Sequence, residues 1–289
     1  MKPKLTLTYE PGWLTVSGGH LPGPLTIHYL EAYCRAGSTD ADWVTHTVIP
    51  HKTEVLAQRT EGTQVRLRDT LADGVTVTHT LTAKADNIDF QLVAHNPGVQ
   101  RSEAHWAQPC IRLSAFLGLD EKSASNATDY LPRCFLFFDG KQTALPTRDW
   151  ATKGRYMPGQ TWCPAHIPRT DVNPRPLSPL VPSNGLIGAV SGDGKWLFAT
   201  AWEPYQELFQ GVIRCLHSDF RLGGLLPGET KKIRGKIYLV PNNLPDLLKR
   251  YEKDFPEHTK KPRIPPRHLP SLTAGSHFGR SGTRSRTGI

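Results

Sequence analysis

Several things are missing from this 289-residue chain, and each absence narrows what it does. No stretch approaches the ~20 consecutive apolar residues of a membrane span, and the opening MKPKLTLTYEPGWL has no apolar signal core. A soluble, cytoplasmic protein with no membrane partner is expected. The five cysteines, Cys34, Cys110, Cys134, Cys163 and Cys215, are odd in number, widely spaced and without a CxxC pair. Neither a zinc site nor a disulfide framework follows, and buried free thiols are expected. HExxH, HxxEH, a GxSxG elbow and a phosphate-cradling loop are all absent. No cofactor and no metal are therefore expected, although His105, His166, His217 and Glu203 carry donors that suit a transition ion. No internal repeat recurs at a fixed period.

Acidic residues are missing after Glu257, where seven Lys and Arg accumulate. That segment carries seven of the nine net positive charges, so residues 1–257 are nearly neutral. Its Pro, Ser, Gly and Arg composition cannot bury enough apolar surface to fold. The expected organisation is one domain over 1–257 and a disordered basic tail over 258–289. Nucleic acid is an expected partner only weakly, through that tail, and binding there would be salt-sensitive. The sequence leaves the oligomeric state open.

What is present is a strand pattern. Gly and Pro number 25 each, too frequent for long helices, with Thr, Val, Ile and aromatic residues between the breaks. Residues 74–108 hold the longest period-2 run. Val75, Val77, His79, Leu81 and Ala83 share one face, Ile88, Phe90, Leu92 and Ala94 share another, and Asp86-Asn87 is the turn. Further strands are expected over 4–9, 13–16, 25–35, several segments of 45–82, 109–117, 134–138, 185–191, 195–202, 207–219 and 228–241. Turn signals every 8–12 residues indicate an antiparallel sandwich or barrel. Residues 146–184 contain eight prolines and read as a long, functional loop. Residues 243–251 form the one short C-terminal helix, with Leu244, Leu247 and Leu248 on one face.

Three motifs fall in a particular order: His95-Asn96-Pro97-Gly98 followed by His105-Trp106, then Ala201-Trp202-Glu203-Pro204, then Leu226-Pro227-Gly228-Glu229. Over residues 60–240 this order resembles the galactose mutarotase-like family, the aldose 1-epimerases and their relatives. The resemblance implies an all-β, antiparallel β-supersandwich with a sugar cleft on the concave side of a sheet. It implies Glu203 as base and His105 as acid. The chain departs from the family where an Asn-His-x-x-Gly-Gly histidine is usual, having only His46 and His51 nearby, and the early sugar-binding arginine has no clear counterpart.

Opening a hemiacetal needs one group to take the anomeric proton and another to protonate the ring oxygen, tasks that suit carboxylate and imidazole. His105, Glu203 and His217 are the catalytic candidates. His217 and Asp219 share a strand face and can pair near Glu203. Trp106, Trp162 and Trp202 can stack on a sugar or pack in a core. Arg112, Arg133 and Arg155 can grip an acidic sugar or simply be solvated. Asn96, Gln108, Tyr130, Tyr156 and His166 complete the candidate binding set, with Tyr130, Tyr156, Arg155 and Asn96 serving a lyase-type alternative. The expected function is carbohydrate binding, a sugar or oligosaccharide, with epimerase- or lyase-type chemistry. A non-catalytic carbohydrate-binding or scaffold protein is the alternative.

Overall fold

The computed structural model describes residues 4–37, 42–120, 128–145, 160–172, 177–211 and 213–259. The compact unit runs Met1–Thr259. Lys260–Ile289 forms a second unit and lies outside the described residues. His258, which the composition assigned to the tail, is inside the first unit.

Two antiparallel sheets dominate. One contains β1 (Thr6–Glu10), β2 (Trp13–Ser17), β3 (Leu25–Arg35), β9 (Ala104–Arg112), β16 (Cys215–Arg221), β15 (Tyr205–Gln210) and β12 (Gln160–Trp162), in that spatial order, with β4 (Val48–Ile49) against β3. The other orders β11 (Lys141–Ala144), β10 (Cys134–Phe138), β13 (Ile187–Val190), β14 (Trp196–Glu203), β17 (Thr230–Pro241), β8 (Asn87–His95), β7 (Thr76–Ala83), β6 (Gln64–Leu71) and β5 (His51–Gln58). The run over 74–108 behaves as its alternation requires. Val77, His79, Leu81 and Ala83 of β7, with Ile88, Phe90, Leu92 and Ala94 of β8, are buried. Helix α2 (Leu244–Asp254) is capped by Asn243, whose side chain accepts from the Asp246 N–H, and Leu247 and Tyr251 are its buried face. A one-turn helix, α3 (Pro256–Thr259), follows it.

Some local expectations give way. Residues 109–117 are a strand only to Arg112. The chain then turns into the one-turn helix α1 (Ser114–Leu117), stopped by Gly118 at φ 67°. Residues 43–47 form a π-helical turn held by Asp42, which accepts from Thr45, where a strand was expected. Within the proline-rich segment the described residues form β12 and a 3-10 turn, Arg169–Asp171.

The core lies between the sheets. Leu7, Leu14, Ile27, Tyr29, Tyr33, Ile111, Leu216 and Phe220 from one sheet meet Val65, Leu81, Phe90, Phe198, Trp202 and Ile233 from the other. A polar network crosses this core. Tyr33 donates to Asp69 Oδ2 at 2.6 Å, Thr53 donates to Oδ1 at 2.7 Å, and His79 lies 3.0 Å from Oδ2 by Nε2 and 2.7 Å from the Tyr29 hydroxyl by Nδ1. Asp69 and His79 are both buried, so these partners replace the water they lost. His79 is therefore a satisfied core residue.

Candidate functional site

Every strand of the first sheet has a second face, turned away from this core, and register fixes what stands on it. Trp13 pairs with His28, and His28 with Cys110. The pairings Leu216↔Ile111 and Phe220↔Ala107 place His217 opposite Cys110, and Phe209 pairs with His217. One row thus runs Trp13, His28, Cys110, His217, Phe209. A second runs Ala32, Gln108, Asp219, Glu207, and a third Cys34, Trp106, Arg221. Arg112 stands beside Cys215 in a fourth.

This face is chemically unlike the core. Gln108 Nε2 donates to Glu31 Oε2 at 2.6 Å. The Trp13 ring, 39% exposed, stacks on His28 at 4.8 Å, and the Arg112 guanidinium sits 5.8 Å from its centroid. Glu207, His217 and Asp219 are buried. His217 Nδ1 lies 3.6 Å from Asp219 Oδ1, and Nε2 lies 3.4 Å from Cys215 Sγ. Burial alone would lower the His217 imidazole, but Cys110 and Asp219 outweigh it and raise it to about 10.

At the Arg221 end the face reaches solvent. Arg221 donates to Asp171 Oδ2 at 2.8 Å and to Gln206 Oε1 at 2.6 Å. His105 Nδ1 stands 3.5 Å from the same Asp171 oxygen, too long for a firm hydrogen bond. Burial lowers the His105 imidazole, Asp171 opposes that, and Arg221 adds to it, a balance that favours the neutral ring. Burial also lowers His166, against an opposing pull from Glu203 and alongside repulsion from Arg221. Glu203 closes β14 in the other sheet, where its Oε2 is 2.8 Å from His258 Nε2. His258 Nδ1 is 2.5 Å from the Tyr251 hydroxyl. His105 and Glu203 therefore act on one electrostatic neighbourhood through Arg221 and His166, but neither touches the other in any described contact. His217 stands on the other sheet from Glu203 and pairs with Asp219 there.

The remaining candidates divide. Gln108 and Arg112 stand on the polar face. Trp106 stands there too, but it is buried against Ala32, Cys34 and Trp43. Trp162 and Trp202 are core residues and cannot stack on a ligand. Gly235 makes room for Trp202, since a Cβ there would lie 2.3 Å from Cε3. Asn96 is structural. Its Nδ2 donates to the carbonyls of Gln100 and Leu225, its Oδ1 accepts from Gly98 at 2.9 Å, and its backbone bonds both Gly228 and Glu229. The Asn-Pro-Gly and Pro-Gly-Glu turns are thus one hydrogen-bonded unit. Tyr130 is buried and donates to the Gly211 and Cys215 carbonyls. Arg133 donates to the Ser191 carbonyl. Arg155 and Tyr156 lie outside the described residues. Sequence reasoning missed Trp13, Glu31, Asp171, Arg221 and His258. Arg221 was within reach, because residues 215, 217, 219 and 221 share the face on which His217 and Asp219 were already paired. A cavity of about 360 Å³ at the opposite edge, between β1 and the Gln58–Gly62 turn, holds no comparable acid/base cluster.

Fold and face together define a two-sheet antiparallel β-sandwich with a polar, ionisable sheet surface. No family model and no curated protein matches the chain. Solved structures with a similar fold include a candidate aldose 1-epimerase from Escherichia coli K12, 10% identical, with a TM-score of 0.42 over 81% of this chain and 98% of that one. The Slr1438 protein from Synechocystis sp. PCC 6803 is also 10% identical, with a TM-score of 0.42 over 83% of this chain and 98% of that one. A galactose mutarotase-like protein from Lactobacillus casei ATCC 334 is 9% identical, with a TM-score of 0.38 over 81% and 99%. At such scores the likeness transfers no residue roles.

Proposed function

We propose that this chain is a carbohydrate-active protein. It holds a sugar or sugar acid against the outer face of its eight-stranded sheet and performs acid/base chemistry at the His105–Arg221 end. The observation that carries the reading is the accessible part of that face, where Trp13, His28, Glu31 and Arg112 keep contact with solvent beside the buried polar rows of Gln108, Glu207, His217 and Asp219. Desolvated ionisable groups cost stability unless paired, and their concentration on one surface is a mark of function rather than scaffolding. Carboxylates and amides match the donors and acceptors of sugar hydroxyls, and the exposed Trp13 ring offers an apolar platform beside them.

His105 is assigned as the proton acceptor, because it stands at the solvent-reaching end of the face and burial favours its neutral form. That reverses the role the resemblance implied for it. Glu203, held by His258, is the second group, and Arg221, paired with Asp171, is the cation that a substrate carboxylate would compete for. Removal of the anomeric hydroxyl proton with protonation of the ring oxygen gives epimerisation. Removal of a carbon-bound proton beside a uronate carboxylate, with protonation of the departing oxygen, gives elimination.

The test is a mutarotation and lyase screen against neutral hexoses and uronate oligomers, with His105→Ala and Glu203→Gln. A loss of roughly 10²-fold or more in His105→Ala supports the assignment. Unchanged activity in both variants removes the site. Binding without turnover would make the protein a carbohydrate-binding module, a reading favoured by the closed Glu203–His258 contact.

A further inference from the structure

The deep end of the polar face carries a second constellation. Cys110 on β9 stands opposite His217 on β16, and Cys215 precedes His217 by two residues on the same face. The two sulfurs and a ring nitrogen of His217 all lie within 4.8 Å of one another, and all three residues are only 2% exposed. An ion bound at ~2.3 Å from sulfur and ~2.0 Å from nitrogen holds such atoms roughly 3.5–4 Å apart. The His217 Nε2–Cys215 Sγ separation is already 3.4 Å.

Two neighbours fit the same purpose. Asp219 stands behind the imidazole, its Oδ1 3.6 Å from Nδ1, so Nε2 is the nitrogen left on the sulfur side. A carboxylate on the far nitrogen is how ligating histidines are oriented. Gly211 leaves room for the Cys215 sulfur, because a Cβ there would lie 2.1 Å from Sγ. Cys134 shows what an ordinary core thiol looks like here: its sulfur donates to the Tyr130 carbonyl at 3.4 Å.

We propose that Cys110, Cys215 and His217 bind a zinc-class divalent ion through three protein ligands, with the fourth position left to water or a ligand oxygen. Two thiolates and an imidazole select borderline ions such as zinc and discriminate against magnesium and calcium, which take oxygen. Binding displaces the two thiol protons and the imidazolium proton on His217 Nε2 to solvent, so uptake is coupled to their release. The expectation of no metal followed from the absence of CxxC. The sheet supplies by register what linear spacing withheld.

The experiment needs neither sugar nor turnover, so its outcome is separate from that of the proposed function. The full chain is produced with zinc supplementation, desalted and assayed by elemental mass spectrometry, then exchanged with cobalt(II) and examined for thiolate-to-cobalt charge-transfer absorption. One zinc per chain and the charge-transfer band are expected, both lost in Cys110→Ser and Cys215→Ser and both kept in Cys134→Ser. Asp219→Asn, which keeps every ligand, should retain the band while metal affinity falls about 10- to 100-fold. Circular dichroism shows whether each variant is folded. Folded wild-type protein that takes up neither zinc nor cobalt would overturn the proposal. Zinc retained in folded Cys110→Ser and Cys215→Ser would do the same.

Discussion

Asp69 joins His79 and Thr53 of its own sheet to Tyr33 of the other, and its removal gives a signal that can be calculated. Burial pushes the carboxyl up, but His79 and the two hydroxyl donors outweigh it and lower it from 3.8 to about 2. Each unit is worth about 1.4 kcal/mol, so the depression contributes about 2.5 kcal/mol. The folded pKa is the lower one. The contribution is therefore complete above the unfolded value, roughly at pH 5, and almost gone by pH 2. Asp69→Asn keeps the shape and removes the titration. Urea unfolding of both proteins from pH 7 to pH 2 should show wild type more stable by about 2–3 kcal/mol at neutral pH. The gap should close as pH falls from 5 to 2. Parallel pH dependence in the two proteins would refute the reasoning and make the network a passive packing contact.

Gly235→Ala drives a methyl into the Trp202 ring and should cost about 1–3 kcal/mol, read from the thermal midpoint. A chain ending at Glu257 loses the His258 contacts to Glu203 and Tyr251 and should melt below one ending at Thr259; equal midpoints would make His258 dispensable. If His105 is the proton acceptor, the acidic limb of kcat/KM should lie below the ordinary histidine value of about 6.5 and disappear in His105→Ala.

The fold was readable where alternation is strong. The residues over 74–108 carried their register in plain period 2, and Asn243 with its leucines announced α2. Residues 43–47 were not readable, because the Asp42 side chain competes for backbone donors that a strand would use. The site was half readable. His217 and Asp219 were paired correctly by strand periodicity. Their neighbours Cys110, Gln108 and Glu31 come from strands distant in sequence, and only sheet order brings them together. Tryptophan type alone could not separate platform from core. Trp162 and Trp202 fill the space between the sheets, while Trp13, on a short strand near the N-terminus, has the exposed ring.

The central claim is that the outer face of the eight-stranded sheet receives a sugar, and saturation-transfer NMR on wild type and Trp13→Ala tests it most directly. Ring protons of at least one neutral or acidic sugar should receive saturation from wild type, and the transfer should fall severalfold in the folded variant as the stacking platform is lost. No transfer from any sugar in the panel, or transfer unchanged by Trp13→Ala together with Arg221→Gln, would contradict the account.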